Sequence, residues 1–254
     1  MKQFISTLFK RKKEKICRIS DNTRVYCIGD IHGRDDLLQN IHDKIALDSV
    51  NYSGNKLIVY LGDYIDRGLH SKKVIDLLLK NPLSGFNPIY LRGNHEQVLL
   101  DFLNFDPSIA TQWLTFGGQA TLLSYGVSVS GIPFGEKLVQ LQRDLADKIP
   151  NEHLTFYSQL EYCYSSGDYF FVHAGVKPKI KLTRQNSLDM MWIRDEFLSS
   201  KHQHEMMIVH GHSVTDDPVI LPNRIGIDTG AYMSGRLTCL VLEGEEKRFI
   251  QTGI

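Results

Sequence analysis

The chain has no net charge: across its 254 residues, 29 Lys and Arg balance 29 Asp and Glu. No global field of either sign argues for nucleic acid or for an acidic partner. Cysteine is scarce and scattered. Cys17, Cys27, Cys163 and Cys239 form no CxxC pair, which points to free thiols in a reducing, cytoplasmic compartment. No apolar run is long enough to span a bilayer. Internal repeats, low-complexity tracts and linkers are also lacking, so one domain sharing one site is expected.

What is present is ordinary in amount, 42% hydrophobic and 23% charged residues, as in a globular protein. Residues 1–20 are the one biased segment. Phe4, Ile5, Leu8 and Phe9 fall at helical spacing and are followed by Lys10-Arg11-Lys12-Lys13-Glu14-Lys15. A secretory signal has its charge before the apolar stretch, the reverse of this order. The segment reads as a basic amphipathic tail, solvated or packed on the body. Weak contact with an anionic membrane is the alternative. Residues 21–254 are expected to be the single domain.

Three times in the first hundred residues an apolar strand runs into a loop loaded with polar groups and then a helix. Arg24 to Ile28 ends in Gly29-Asp30-Ile31-His32-Gly33 and leads to helical periodicity over Asp35 to Leu47. Lys56 to Leu61 ends in Gly62-Asp63-Tyr64-Ile65-Asp66-Arg67-Gly68, before a helix at Val74 to Leu79. Pro88 to Leu91 ends in Arg92-Gly93-Asn94-His95-Glu96, before a helix at Val98 to Leu103. Such alternation with short links implies an α/β fold with a largely parallel sheet. Asp106 to Ile149 reads as a mostly helical excursion. Strands then return: Tyr169 to Val172 before His173-Ala174-Gly175, Met207 to Val209 before His210-Gly211-His212, and Arg224 to Ile227 before Asp228. A terminal hairpin is expected from Leu237 to Leu242 and Lys247 to Gln251.

The loaded loops supply Asp30, His32, Asp63, Asn94, His173 and His212, each within a few residues of an apolar run. These oxygen and nitrogen donors, with no thiolate among them, suit two hard or borderline divalent ions: Mn, with Fe or Zn as alternatives. A shared carboxylate can hold two ions about 3.5–4 Å apart, and Asp63 is the candidate. A lone Asp after a strand is ordinarily a cap or turn residue; the recurrence of the design outweighs that reading. His42, His70, His153, His202 and His204 have no such recurrence and are read as structural, as is His210. Asp228 is read as a buttress, and Trp113, Phe116 and Trp192 as core or groove wall.

These five loops, in this order and with Ile227-Asp228-Thr229-Gly230-Ala231 after them, resemble the calcineurin-like metallophosphoesterase superfamily. Within it the chain looks most like the phosphoprotein phosphatase family, in its compact bacterial and phage lambda-type serine/threonine branch. The motifs span Gly29 to Ala231. The resemblance implies an α/β-β-α sandwich, with mixed sheets flanked by helices. It implies one ion held by Asp30, His32 and Asp63, and a second by Asp63, Asn94, His173 and His212. His95 would be the general acid, oriented by Asp66, and Arg67, Arg92 and Arg194 would face the phosphate. The reaction implied is hydrolysis of phosphomonoesters by direct attack of a hydroxide bridging the two ions. The leading substrate is a phosphoprotein or phosphopeptide carrying phosphoserine or phosphothreonine. A symmetrical diadenosine tetraphosphatase is the alternative. That group typically lacks the acid of the second motif and often ends the third with Asp, whereas Asp66 and Glu96 are present here. A metal-binding module without catalysis is a third reading, opposed by the intact Asp66, His95 and Arg194.

Overall fold

The computed structural model describes residues 16–129, 131 and 133–253. The expected amphipathic segment, through Lys15, lies outside the described residues. The first half follows the expected alternation: β1 (Thr23–Ile28), α1 (Asp35–Asp48), β2 (Asn55–Tyr60), α2 (Ser71–Lys80), β3 (Asn87–Tyr90) and α3 (Asn94–Asn104). The excursion is helical, as α4 (Ile109–Thr115), α5 (Gly118–Ser124) and α6 (Glu136–Lys148), and is continued by α7 (Asn151–Gln159). The second half carries β4 (Cys163–Ser166), β5 (Tyr169–Val172), α8 (Ser187–Trp192), α9 (Asp195–Leu198) and β6 (Met207–His210). It closes with β7 (Val219–Leu221), β8 (Arg224–Gly226), α10 (Ala231–Ser234), β9 (Thr238–Glu243) and β10 (Glu246–Gln251).

Two five-stranded mixed sheets result, in the orders β10-β9-β1-β2-β3 and β4-β5-β6-β8-β7. Strands β1, β2 and β3 are parallel, as are β5, β6 and β8. The terminal hairpin does not stay with the second half. Its first strand returns to pair antiparallel with β1, covering an edge that would otherwise present unpaired backbone groups.

Period-two alternation explains why β1, β2, β5 and β6 are apolar over most of their length. Val25, Cys27, Leu57 and Val59 face the other sheet, where Tyr169, Phe171, Val209 and Ile225 meet them. Their neighbours Tyr26, Ile28, Ile58 and Tyr60 face α1 and α2 instead, against Leu38, Ile41, Val74 and Ile75. On the far side, Phe170, Val172 and Ile208 pack with Met190 and Phe197 of α8 and α9. Strands buried on both faces need no polar positions, and the layers run helix, sheet, sheet, helix. Cys17 and Ile19 are buried in the inter-sheet core. Among the described residues no helix is long and apolar enough to cross a membrane.

Candidate metal centre and active site

The loops after β1, β2, β3, β5 and β6 meet at one edge of the two sheets. Backbone bonds fix their approach. The amides of Ile31 and His32 donate to the Asp63 carbonyl, and that of Gly211 donates to the His173 carbonyl. The loops turn on left-handed backbone. Among the described residues seven non-glycines have positive φ, and five are expected site residues: His32, Asp63, Asp66, Arg67 and His212. Such conformations persist only where the surroundings over-determine them, and they cluster at functional sites.

Glu96 supplies much of that determination. Its carboxylate accepts four backbone amides: Gly93 (3.0 Å), Asp63 (2.9 Å), Tyr64 (2.8 Å) and Ile65 (3.3 Å). One side chain at the third position of α3 therefore caps its own helix and ties down the β2 loop. Gly93 makes the approach close enough. A Cβ there would collide with the Asp63 carboxylate and backbone nitrogen and with Glu96 Oε2. Gly93→Ala is expected to cost about 1–3 kcal/mol of stability by overpacking and to weaken metal uptake, read by thermal melts with and without Mn²⁺.

At the centre stands Asp63, 2% exposed. Its Oδ2 lies 3.4 Å from His32 Nε2 and 3.8 Å from His95 Nε2. Its Oδ1 lies 3.4 Å from His173 Nε2, which is also 3.0 Å from Asn94 Oδ1 and 3.2 Å from His212 Nδ1. Two groups of donor atoms, each within 4.8 Å, thus share Asp63: His32, Asp63 and His95, and Asp63, His173 and His212. The ring tautomers follow from the far nitrogens. His32 Nδ1 sits 2.8 Å from the Ile65 carbonyl and His173 Nδ1 3.0 Å from the Leu61 carbonyl. A carbonyl only accepts, so each Nδ1 carries the proton and each Nε2 presents a lone pair. The His173 lone pair therefore converges with the oxygens of Asn94 and Asp63 beside the His212 ring. The buried Nε2 atoms of His32 and His212 have no hydrogen-bond partner. A divalent cation satisfies such a set, and neutral imidazoles with carboxylate and amide oxygens suit the borderline ions.

The electrostatics agree. Burial lowers His32 to about 3 and His212 to about 2, so both rings are neutral at pH 7. Desolvation and the charges of Asp228 and Asp63 push Asp30 well above the usual carboxylate range. Asp63 is held below that range although burial opposes its ionisation: the ring positions around it favour its charge, and of them His95 stays protonated. Asp30 belongs to neither donor group. Both its oxygens accept the His212 amide at 3.1 Å, which joins the β1 loop to the β6 loop.

In the first of these groups His95 Nδ1 bonds Asp66 Oδ2 at 2.6 Å. Burial works against the charged ring, but Asp63 and Asp66 outweigh it and raise His95 to about 9. Asp66 is itself fixed by the Trp113 indole N–H (2.8 Å) and the Thr121 hydroxyl (2.5 Å). Of the expected phosphate-facing arginines, Arg67 lies over the Tyr232 ring with Nη2 3.4 Å from His95 Nε2. Arg194 is exposed, and its charge is felt by His173 and His212. Arg92 is turned elsewhere. Its guanidinium donates to Gln97, Tyr162 and the carbonyls of Tyr157 and Ser158, which ties the β3 loop to the end of α7. Arg92→Met is expected to cost about 1–3 kcal/mol of stability through the unpaired carbonyls, with KM little changed. Arg67→Met should do the reverse. Melting curves beside initial-rate kinetics separate the two.

Of the residues read as structural, His42, His70 and His210 sit as expected of such groups. His42 Nε2 bonds the Tyr60 hydroxyl, His70 bonds Asp35, and His210 packs edge-on against Phe197. Asp228 accepts the Gly230 amide and shares a hydrogen bond with Asp30. Missed from the sequence were the four-amide role of Glu96, the Trp113 and Thr121 contacts to Asp66, and Tyr232 beneath Arg67. Only Glu96 carried a signal, its spacing three residues after Gly93.

A family model described as calcineurin-like phosphoesterase matches residues 23–239. The chain belongs to the calcineurin-like phosphoesterases. This calcineurin-like phosphoesterase is 23% identical over 233 residues to the asymmetrical bis(5'-nucleosyl)-tetraphosphatase PrpE of Bacillus cereus, a match covering 84% of the chain and 88% of that protein. Its fold matches a solved structure named as a candidate diadenosine tetraphosphatase, with TM-score 0.61 and 21% identity, over 91% of the chain and 94% of the other. A cold-active protein tyrosine phosphatase has the same fold, with TM-score 0.58 and 18% identity, over 91% and 81%. The α/β-β-α sandwich, the divalent metal centre and phosphoester hydrolysis come with the family, and the His and Asp groups above are the candidate ligands.

Proposed function

We propose that this phosphoesterase hydrolyses dinucleoside tetraphosphates at a pair of divalent ions sharing Asp63. The observation that carries the reading is the two donor groups meeting at one carboxylate, with His95 of the first group paired to Asp66. The substrate class is supported by relatives named as bis(5'-nucleosyl)-tetraphosphatases that match most of the chain. Asp63, His32 and Asp30 would serve one ion; Asp63, Asn94, His173 and His212 would serve the other. Manganese is the first ion to supply. Bound ions neutralise phosphate charge and bring water toward its ionised form near pH 7. Arg67 and Arg194 offer planar forks to phosphate oxygens. His95 Nε2 donates the proton to the departing oxygen, and Asp66 holds the ring by Nδ1.

One observation favours a second reading, hydrolysis of phosphoserine or phosphothreonine. An alkoxide leaves badly without a proton, whereas a nucleotide phosphate leaves readily. A fully braced acid pair such as His95–Asp66 is of greatest use to the first. The deciding measurement compares kcat/KM of the Mn²⁺-loaded chain for diadenosine tetraphosphate and for a phosphoserine peptide, with nucleotide products separated. A higher value for the peptide overturns the proposal. ATP with AMP, or two ADP, tells asymmetrical from symmetrical cleavage. Chelation is expected to abolish either activity, and turnover surviving chelation would remove the metal reading altogether.

A further inference from the structure

Away from this site, a buried histidine nitrogen without a hydrogen-bond partner aims at two carboxylates. His153 on α7 is fully buried. Its Nδ1 lies 2.8 Å from the Tyr125 hydroxyl, which is 2.9 Å from that of Tyr157. Its Nε2 has no hydrogen bond and lies 3.6 Å from Asp76 Oδ1 on α2. With Glu152, the preceding residue, these side chains form a group whose donor atoms all lie within 4.8 Å of one another. One cation already attends it: Lys80 Nζ is 2.5 Å from Asp76 Oδ1 and 3.2 Å from Glu152 Oε1.

We propose that Asp76, Glu152 and His153 form a peripheral site for a divalent transition ion of the zinc class, clamping α2 to α7, with the Lys80 ammonium as its competitor.

Three features carry this. Donor chemistry is the first: two carboxylates and one imidazole, with a side open to water, match three-ligand zinc sites. Spacing is the second. Tetrahedral ligands at about 2.1 Å from zinc lie about 3.4 Å apart, close to the His153–Asp76 separation of 3.6 Å. Support of the ring is the third. Nδ1 rests on the Tyr125 hydroxyl, and in the tautomer with Nδ1 as donor the Nε2 lone pair faces the carboxylates, as in metal-ligating histidines held by an outer partner. Lys80 and Glu152 side chains are 56% and 55% exposed. The ammonium can therefore swing into water while the carboxylate adjusts. None of these residues belongs to the catalytic centre, so the inference stands apart from the substrate reading.

Equilibrium dialysis of the full chain against Zn²⁺ tests it through differences between variants, because the catalytic ligands also take zinc. Glu152→Gln and Asp76→Asn are each expected to bind one zinc fewer than the parent. Lys80→Ala keeps the count and tightens this zinc roughly tenfold, because a like charge a few ångströms from the ion is removed. Glu152→Gln loaded with Mn²⁺ should hydrolyse substrate at the parental rate, showing that the fold and the catalytic centre are intact. An unchanged zinc count in either carboxylate variant overturns the proposal. So does unchanged affinity in Lys80→Ala.

Discussion

Asp66→Asn is expected to lower kcat on a phosphoserine peptide roughly 10²–10⁴-fold, the usual worth of general acid catalysis, and to lower it far less on diadenosine tetraphosphate. The asymmetry follows from the leaving groups, since the proton from His95 matters in proportion to the basicity of the oxygen that departs. The substitution is close to a pure electrostatic change. Asp66 accepts from His95 and Trp113 through Oδ2 and from Thr121 through Oδ1. An asparagine can turn its oxygen to the first two and its amide to Thr121. The threonine hydroxyl already accepts from the Asp66 backbone amide as well as donating, so it can take either role. Asp66 has positive φ, a conformation that Asn tolerates as well as Asp does. Melting temperature and metal content should stay at parental values. Equal losses on both substrates would show that Asp66 holds the loop rather than the proton. An unchanged kcat on the peptide would remove His95 as the acid.

The loops that carry chemistry were legible because of how this fold is layered. Strands buried on both faces appear as unbroken apolar runs, so polar clusters at their ends stand out: Asp30 and His32 after β1, Asp63 after β2, His173 after β5. The structure brings these together with Asn94 and His212. Partner choice between strands was not legible. β9 pairs with β1 across more than two hundred residues, and nothing local in Thr238–Glu243 distinguishes that sheet from the other. β7 went unread because it is three residues long, with Ile220 51% exposed, a short edge without alternation. Arg92 shows the limit of reading position as direction. It sits two residues before Asn94, yet Tyr162 and the end of α7 draw its side chain away from the candidate metal ligands. Trp113 and Thr121 belong to α4 and α5, far along the chain from Asp66. Packing residues there look the same in sequence whether or not one of them turns a polar atom to a buried carboxylate.

Asp63→Asn should have the largest effect of all. Asp63 is the one residue common to both donor groups, so losing its charge is expected to weaken both proposed ion positions together. An amide offers one neutral oxygen where two charged ones now face His32 and His173. Metal assistance to hydrolysis is worth several kcal/mol, so kcat/KM is expected to fall on the order of 10³-fold or more on any phosphoester. The folded chain without metal should tolerate the change. Asn fits the left-handed backbone at Asp63 (φ 52°). Its oxygen can still accept the His95 amide, 3.2 Å away, and one negative charge leaves the neighbourhood of Asp30 and Asp228. The contrast between the two proteins is therefore thermodynamic as well as kinetic. Ions that bind only the native state raise stability by RT ln(1 + [L]/Kd). Mn²⁺ should raise the melting temperature of the parent but leave that of Asp63→Asn nearly where it was. If the variant is stabilised by Mn²⁺ to the parental extent, the two ions do not share this carboxylate. If it also keeps parental activity, hydrolysis does not depend on Asp63.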